Sequence, residues 1–314
     1  MDPITHGLVG LAAGNFSGSS GVLTNPMALA CFIGSIIPDG DIIMQYRGDF
    51  SYLKNHRGAS HSFLGAGILS VVIALLVHLL FPGSNYWKIL MWTYIGCLTH
   101  ICLDLFNSYG AKIFWPFCDK RIGNGLLLSI DPFLITTTFF VYWFNKTNMF
   151  YSGLSIGAFL IYLLFRLHRK INTSSFIMKV IDFPVKRLVL LPSMKGFFSW
   201  DFIAYGERKI LTGKVSMICR KIVYRDRMVQ TEDWIRNLVM KTEMGQFFQD
   251  FTKEYHISYE KTENGKGKAI MTDLRYYVND RYMHHATVHF DNKFNPIEEI
   301  FHPYNMSRNI KVTV

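Results

Sequence analysis

No glutamate stands anywhere before Glu207, and charged residues of either sign are scarce before about residue 167. Charges that sparse cannot clothe a water-soluble surface, which excludes the ordinary globular class for the first half of this 314-residue chain. The remainder carries the mixed charges of a soluble domain, so a boundary falls near residue 170. Cysteine pairing signals are missing as well: Cys31, Cys97, Cys102, Cys118 and Cys219 have no CxxC spacing, so reduced, buried thiols are expected rather than a disulfide framework. Lysine and arginine are absent from the N-terminal residues and no small-residue cleavage site follows, so a cleaved signal peptide is not expected. The formal net charge of +10 lies largely beside apolar runs, where basic residues set orientation, and no specific nucleic-acid surface is expected.

What the first half does contain is long apolar runs. His61 to Phe81 and Trp87 to Phe106 each extend over roughly 20 residues, enough to cross the hydrocarbon core of a bilayer. Ile130 to Phe144 and Met149 to Phe165 are shorter and suit a hairpin pair. Ile4 to Phe16 and Met27 to Ile37, joined by the Gly/Ser-rich stretch Ser17 to Gly21, are each too short to cross and read as a membrane hairpin packed on the longer helices.

If the helices run in order, their ends sort to two sides. One side receives Arg47, Lys54, Arg57, Lys112, Lys120, Arg121, Arg166, Arg169 and Lys170; the other receives Lys88 and Lys146. The positive-inside rule makes the first side cytoplasmic, together with the N-terminus and everything after residue 170. The expected location is therefore the inner membrane of a bacterial cell, in a multi-pass arrangement.

The polar residues that interrupt the apolar half return to that same face. His6 opens the first short helix there, Asp39 and Asp41 close the second, His56 and His61 precede or open the first long helix, His100 and Asp104 end the next, and Asp131 opens the one after. His100 and Asp104 stand four apart on a helix and share a face, so both can hold one ion. Ionisable groups inside a membrane segment are costly to keep, which marks them as functional candidates. Imidazole suits zinc, manganese or iron, and the Arg57 guanidinium between His56 and His61 matches a phosphate. Pro38 and Gly40 place Asp39 and Asp41 on a tight, non-helical turn, where one carboxylate can bind metal while the other orients a water or acts as base. The metal candidates are thus His6, Asp39, Asp41, His56, His61, His100, Asp104 and Asp131, more than one zinc needs, which points to one or two ions with outer partners. Asp131, just before Pro132, is equally placed to cap a helix. His78 falls on the opposite side, and His256, His284, His285, His289 and His302 lie on expected strands without a ligand pattern.

After the basic stretch Arg166 to Arg187, strands are expected at 197–205, 208–220, 256–261, 268–277, 283–291 and 297–302, with a helical segment from Asp233 to about Tyr255. Asn264 to Gly267 and Asn292 to Pro296 read as hairpin turns. The fold class is an α-helical integral membrane domain over residues 1–170, a helical bundle with a short N-terminal membrane hairpin. It is followed over 171–314 by a juxtamembrane linker and a small α+β, sheet-dominated, cytoplasmic domain.

Thr5-His6-Gly7, Pro38-Asp39-Gly40-Asp41, His56 to Ser62, Thr99-His100 through Asp104, Ser108-Tyr109-Gly110 and Trp115-Pro116-Phe117 together resemble the YdjM-like family, LexA-regulated inner-membrane proteins described as metal-dependent hydrolases. The resemblance covers roughly residues 1–170. With Leu191-Pro192-Ser193 and Trp200 in the attached domain, the whole is similar to YfhP-like members from bacilli and clostridia. A more distant likeness is to the helical zinc-dependent phospholipase C and nuclease fold. The resemblance implies a membrane-bound hydrolase requiring a divalent metal, and zinc is the first expectation. With Arg57 as anion grip and Asp39 or Asp41 as base, a phosphoester or lipid-headgroup substrate follows as the expectation. The alternative is a non-catalytic, membrane-anchored metal-binding protein that regulates or recruits a partner; a transporter would place its polar residues near the bilayer midplane instead.

Overall fold

The structure is a computed structural model that describes residues 1–18, 21–144, 149–194, 196–261 and 266–312. Ser19 and Ser20 of the Gly/Ser stretch, Lys146 and the connection around it, and Asn264-Gly265 of one expected turn lie outside the described residues. The chain divides into two compact units, one of residues 1–43 and 55–170, the other of residues 44–54 and 171–314.

The first unit is helical. Its helices are α1 (Pro3–Gly14), α2 (Pro26–Ile36), α4 (Phe63–Leu80), α5 (Tyr86–Leu105), α6 (Pro132–Phe144) and α7 (Met149–Val180) up to Lys170, the last turns of α7 and most of α3 (Asp49–Asn55), in the excursion between α2 and α4, belonging to the second unit. A repeated start signal sets most of them. Asp2, Asn25 and Asp131 each accept hydrogen bonds from the first backbone N–H groups of a helix whose first residue is proline, where the lost donor costs nothing. Ser62 and Asn85 cap α4 and α5 in the same way without the proline.

Among the described residues, three helical stretches, 26–47, 63–80 and 149–180, are long and apolar enough to cross a membrane. Large apolar side chains such as Leu75, Leu76, Leu79 and Leu80 on α4, and Leu160, Ile161 and Leu164 on α7, stand exposed, the surface a helix presents to lipid rather than to water. The helix expected over 87–106 forms as α5 but is not among those three. Two other expectations change. The Pro38 to Asp41 turn, expected to be non-helical, is part of a 3-10 helix from Ile37 to Arg47 that continues directly from α2. Proline cannot donate a hydrogen bond, and the tighter winding tolerates it while keeping both carboxylates on a rigid segment. And α7, expected to end near Phe165, continues to Val180, with the guanidinium of Arg166 fully buried and donating to the carbonyl of Leu126 at 2.9 and 3.1 Å.

Close helix packing positions the unit's polar residues. A Cβ on Gly96 of α5 would run into the Cys31 carbonyl oxygen of α2, one on Gly34 of α2 would meet the Thr93 carbonyl of α5, and one on Gly10 of α1 would overlap Ser35. Backbone therefore lies against backbone across α1, α2 and α5, as small residues allow in membrane helices.

The second unit is sheet-rich. A four-stranded antiparallel meander runs through β1 (Arg187–Pro192), β2 (Ser199–Tyr205), β3 (Lys209–Ser216) and β4 (Ile222–Val229). After α8 (Asp233–Val239) and α9 (Glu243–Phe251) come β5 (Tyr255–Lys261), β6 (Gly267–Asp273), the small pair β7 (Tyr277–Val278) and β8 (Arg281–Tyr282), then β9 (His285–Phe290), β10 (Pro296–His302) and β11 (Ile310–Val312). The larger sheet is antiparallel in the order β11-β10-β9-β6-β5. The strand expected over 208–220 is β3, which ends at Ser216, and the expected helix to Tyr255 is broken because Thr242 turns its hydroxyl onto the Gly245 N–H and starts α9. β1 was concealed in what reads as a basic linker, and β4 by Arg225, Asp226 and Arg227, the charges that blunt an edge strand.

Candidate metal centre

Four side-chain atoms converge where α5 meets the segments on either side of the excursion. His61 Nε2 lies 3.0 Å from His100 Nε2, 3.3 Å from Asp39 Oδ1 and 3.4 Å from Asp104 Oδ2. His100 Nε2 lies 3.6 Å from Asp39 Oδ1 and 3.7 Å from Asp104 Oδ2. Ligands about 2.0–2.1 Å from a zinc ion in tetrahedral geometry stand about 3.3–3.4 Å from each other, and the His61, His100 and Asp104 atoms approach those separations. His61, His100 and Asp104 are fully buried.

The hydrogen bonds outside that shell decide which atoms face inward. His100 Nδ1 donates to the Ser35 carbonyl at 2.8 Å, which leaves the lone pair on Nε2. Ser60 donates to Asp41 Oδ2 at 3.2 Å and accepts from His61 Nδ1 at 2.9 Å, which does the same for His61. These bonds turn the two Nε2 atoms toward the carboxylates of Asp39 and Asp104, and the buried Asp104 Oδ2 has no hydrogen-bond partner. A divalent cation answers that donor set, and the residues fit one.

The other oxygen of Asp104 faces different groups. Its Oδ1 is 3.0 Å from Arg57 Nη2 and 3.4 Å from His6 Nε2, and it pairs with the N-terminal ammonium of Met1, itself 3.0 Å from His6 Nε2. The His6 ring stacks on His100 with centroids 3.6 Å apart. Asp104 thus reaches toward two donor groups, and His6, Asp39 and His100 form a second possible ligand triad. Asp39, Asp41 and His56 form a third. In it, Asp41 Oδ1 lies 2.9 Å from His56 Nδ1, and Oδ2 accepts the Arg57 backbone N–H at 3.0 Å. Burial lowers the pKa of His56, an effect that exceeds the opposing pull of Asp41, so the imidazole stays neutral and able to ligate.

Arg57 is the group expected to hold an anion. Its backbone sits at φ 56°, in the left-handed region that a non-glycine residue rarely adopts. The side chain is buried beneath the Tyr109 ring, 5.5 Å from the centroid, and its Nε and Nη1 have no partner. Two donors of a planar fork are therefore available beside the carboxylates.

Of the eight metal candidates, the structure brings together His6, Asp39, Asp41, His56, His61, His100 and Asp104. Asp131 is the exception. Its Oδ1 caps α6 through the Phe133 and Leu134 N–H groups at 3.1 and 3.2 Å, and its Oδ2 accepts from the Tyr162 hydroxyl at 2.8 Å. Its oxygens are engaged with α6 and α7, which keeps it apart from the cluster. The sequence reading also missed Ser35, whose contribution is a backbone carbonyl, and the glycines that let it approach His100. The spacings Gly10-x3-Gly14 and Ala30-x3-Gly34 were the available signal. In the second unit, His284 and His285 do not form a site: His285 bonds Thr272 and the Tyr282 carbonyl, and His284 packs against Phe251 and Tyr304.

The fold and the cluster together define a helical membrane protein with buried histidine and aspartate groups able to hold a metal, carrying a sheet-rich C-terminal domain. Residues 1–171 match the family described as YdjM inner membrane protein, and the chain belongs to that family. Residues 235–311 match the YfhP C-terminal alpha/beta plait domain. The chain is similar to an uncharacterized protein YfhP of Bacillus subtilis (strain 168), 27% identical over 209 residues, which cover 64% of each of the two chains. No solved structure matches.

Proposed function

We propose that this protein is a metal-dependent hydrolase of the inner membrane, with its centre at the cytoplasmic face and a phosphoester, such as a lipid headgroup, as substrate. The observation that carries this reading is the convergence of His61, His100, Asp39 and Asp104 at 3.0–3.7 Å beside two unpartnered nitrogens of Arg57. Zinc, manganese or iron, as one or two ions, would supply an acidified water and Lewis-acid stabilisation of the phosphoryl oxygens.

The chain's own residues do the rest. His61, His100, Asp39 and Asp104 hold the ion, with His6 and His56 at its borders. Arg57 offers Nε and Nη1 to the non-bridging oxygens of the ester, a planar match that lysine lacks. Asp39 is the most exposed of the three carboxylates and takes the proton of the attacking water. Asp41, engaged with His56, the Arg57 backbone and Ser60, orients those groups.

The complete burial of His6, His61, His100 and Asp104 favours a second reading, in which the ion is structural and the protein is a membrane-anchored regulator that recruits a partner. Metal analysis of the detergent-purified chain, followed by a screen of phospholipids, phosphodiesters, esters and amides, separates the two. His61→Ala and His100→Ala are expected to insert normally, to lose bound metal and to abolish turnover. Stoichiometric metal with no turnover across the screen leaves the regulator; full metal content in either variant removes that residue from the ligand shell.

A further inference from the structure

Residues 44–54 belong to the second unit, although the chain on both sides of them belongs to the first. Within the second unit this segment is held by side chains of three kinds. Phe50 lies against Phe247 of α9, with ring centroids 4.7 Å apart, and against Phe301 of β10 at 6.0 Å. Asp49, buried, pairs with Arg308 and accepts from Gln45 at 3.0 Å. Lys54 Nζ is 3.5 Å from Glu243 Oε1, and Leu53 is buried. An aromatic anchor carries energy in an interface, and the buried Asp49 carboxylate needs its partners, although Arg308 is half exposed; the surface Lys54 pair adds little.

The two ends of this segment lead straight into the metal centre. Asp41 stands just before Met44, His56 just after Lys54, and the two are joined at 2.9 Å. That bond closes a loop, and closing a flexible loop of about 15 residues costs conformational entropy that grows with the logarithm of its length. A loop whose tip is already seated in a folded domain has given up that freedom in advance, which is the physical content of pre-organisation.

We propose that Phe50 and Asp49 are positioning residues: by seating them, the C-terminal domain holds the loop that carries Asp41 and His56, and so maintains the binding geometry of the metal centre. This gives the alpha/beta plait domain a task in the same chain. It rests on the metal-centre reading above, but not on hydrolysis.

The test uses the full-length protein in detergent and zinc alone as probe. Zinc affinity is read by competition with a chelating indicator, and seating of the segment by the rate of trypsin cleavage after Arg47 and Lys54. Phe50→Ala is expected to speed that cleavage and to weaken zinc binding 10- to 100-fold, the range of outer supports of a metal site. Arg308→Ala is expected to move both readouts the same way and Arg308→Lys to restore them; this pair decides the matter if Phe50→Ala fails to fold. Faster cleavage with unchanged zinc affinity, or no change in either, overturns the proposal. Absence of zinc binding by the unaltered chain overturns the metal-centre reading itself, before any variant is made.

Discussion

Asp131 and His100 illustrate how little separates a candidate ligand from a helix cap. Both are buried ionisable groups of the helical unit, but Asp131 spends its oxygens on two backbone N–H groups and a tyrosine hydroxyl, whereas His100 spends one nitrogen on a carbonyl and keeps the other for the cluster. Asp131→Ala is therefore expected to retain full metal content while costing about 1–2 kcal/mol from the lost cap and tyrosine bond. Metal stoichiometry and unfolding in detergent, measured on the same sample, check both halves. A drop in bound metal with unchanged stability would return Asp131 to the ligand set.

At the scale of elements, the site depends on how closely α1, α2 and α5 approach. His100 can donate to the Ser35 carbonyl because Gly34 and Gly96 allow the two backbones to touch, and the neighbouring Gly10 admits α1 with its His6. A branched side chain at Gly96 meets a carbonyl rather than a flexible side chain, and a helix backbone cannot move aside. Gly96→Val is expected to cost about 3 kcal/mol as overpacking and to disconnect His100 from Ser35. Reduced zinc affinity together with a lowered unfolding midpoint is the expected result; unchanged zinc affinity would separate helix packing from the site. The helices themselves were legible in the residues, since apolar runs and Asp-Pro or Asn-Pro starts leave few alternatives. The contacts between them were not, because a glycine's role depends on what faces it. The end of α7 is hidden in the residues for a related reason: Arg166 and Lys170 look like membrane-flanking charges, yet they bond carbonyls of residues 124–126 as the helix continues.

At the scale of the whole molecule, the positive-inside rule predicts that the ends of the helices carrying the histidine and aspartate cluster, the N-terminus and the C-terminal domain face the cytoplasm. Reporters fused at residue 84 and at the C-terminus should be exposed outside and inside the cell, respectively. A C-terminal reporter exposed outside would reverse the orientation. By itself, the sequence determined the class: a charge-poor helical half, a charged sheet-rich half, and polar residues gathered at one end of the helices. Those follow from local composition and from the fixed rise of a helix, which are properties of neighbouring residues. The tertiary structure decided that His61 and His100 meet each other and the carboxylates of Asp39 and Asp104, that Asp131 lies apart from them, and that residues 44–54 fold with the C-terminal domain. Each of these depends on which distant groups satisfy a lone pair, a charge or an aromatic face, and such pairings are settled only when the whole chain has packed.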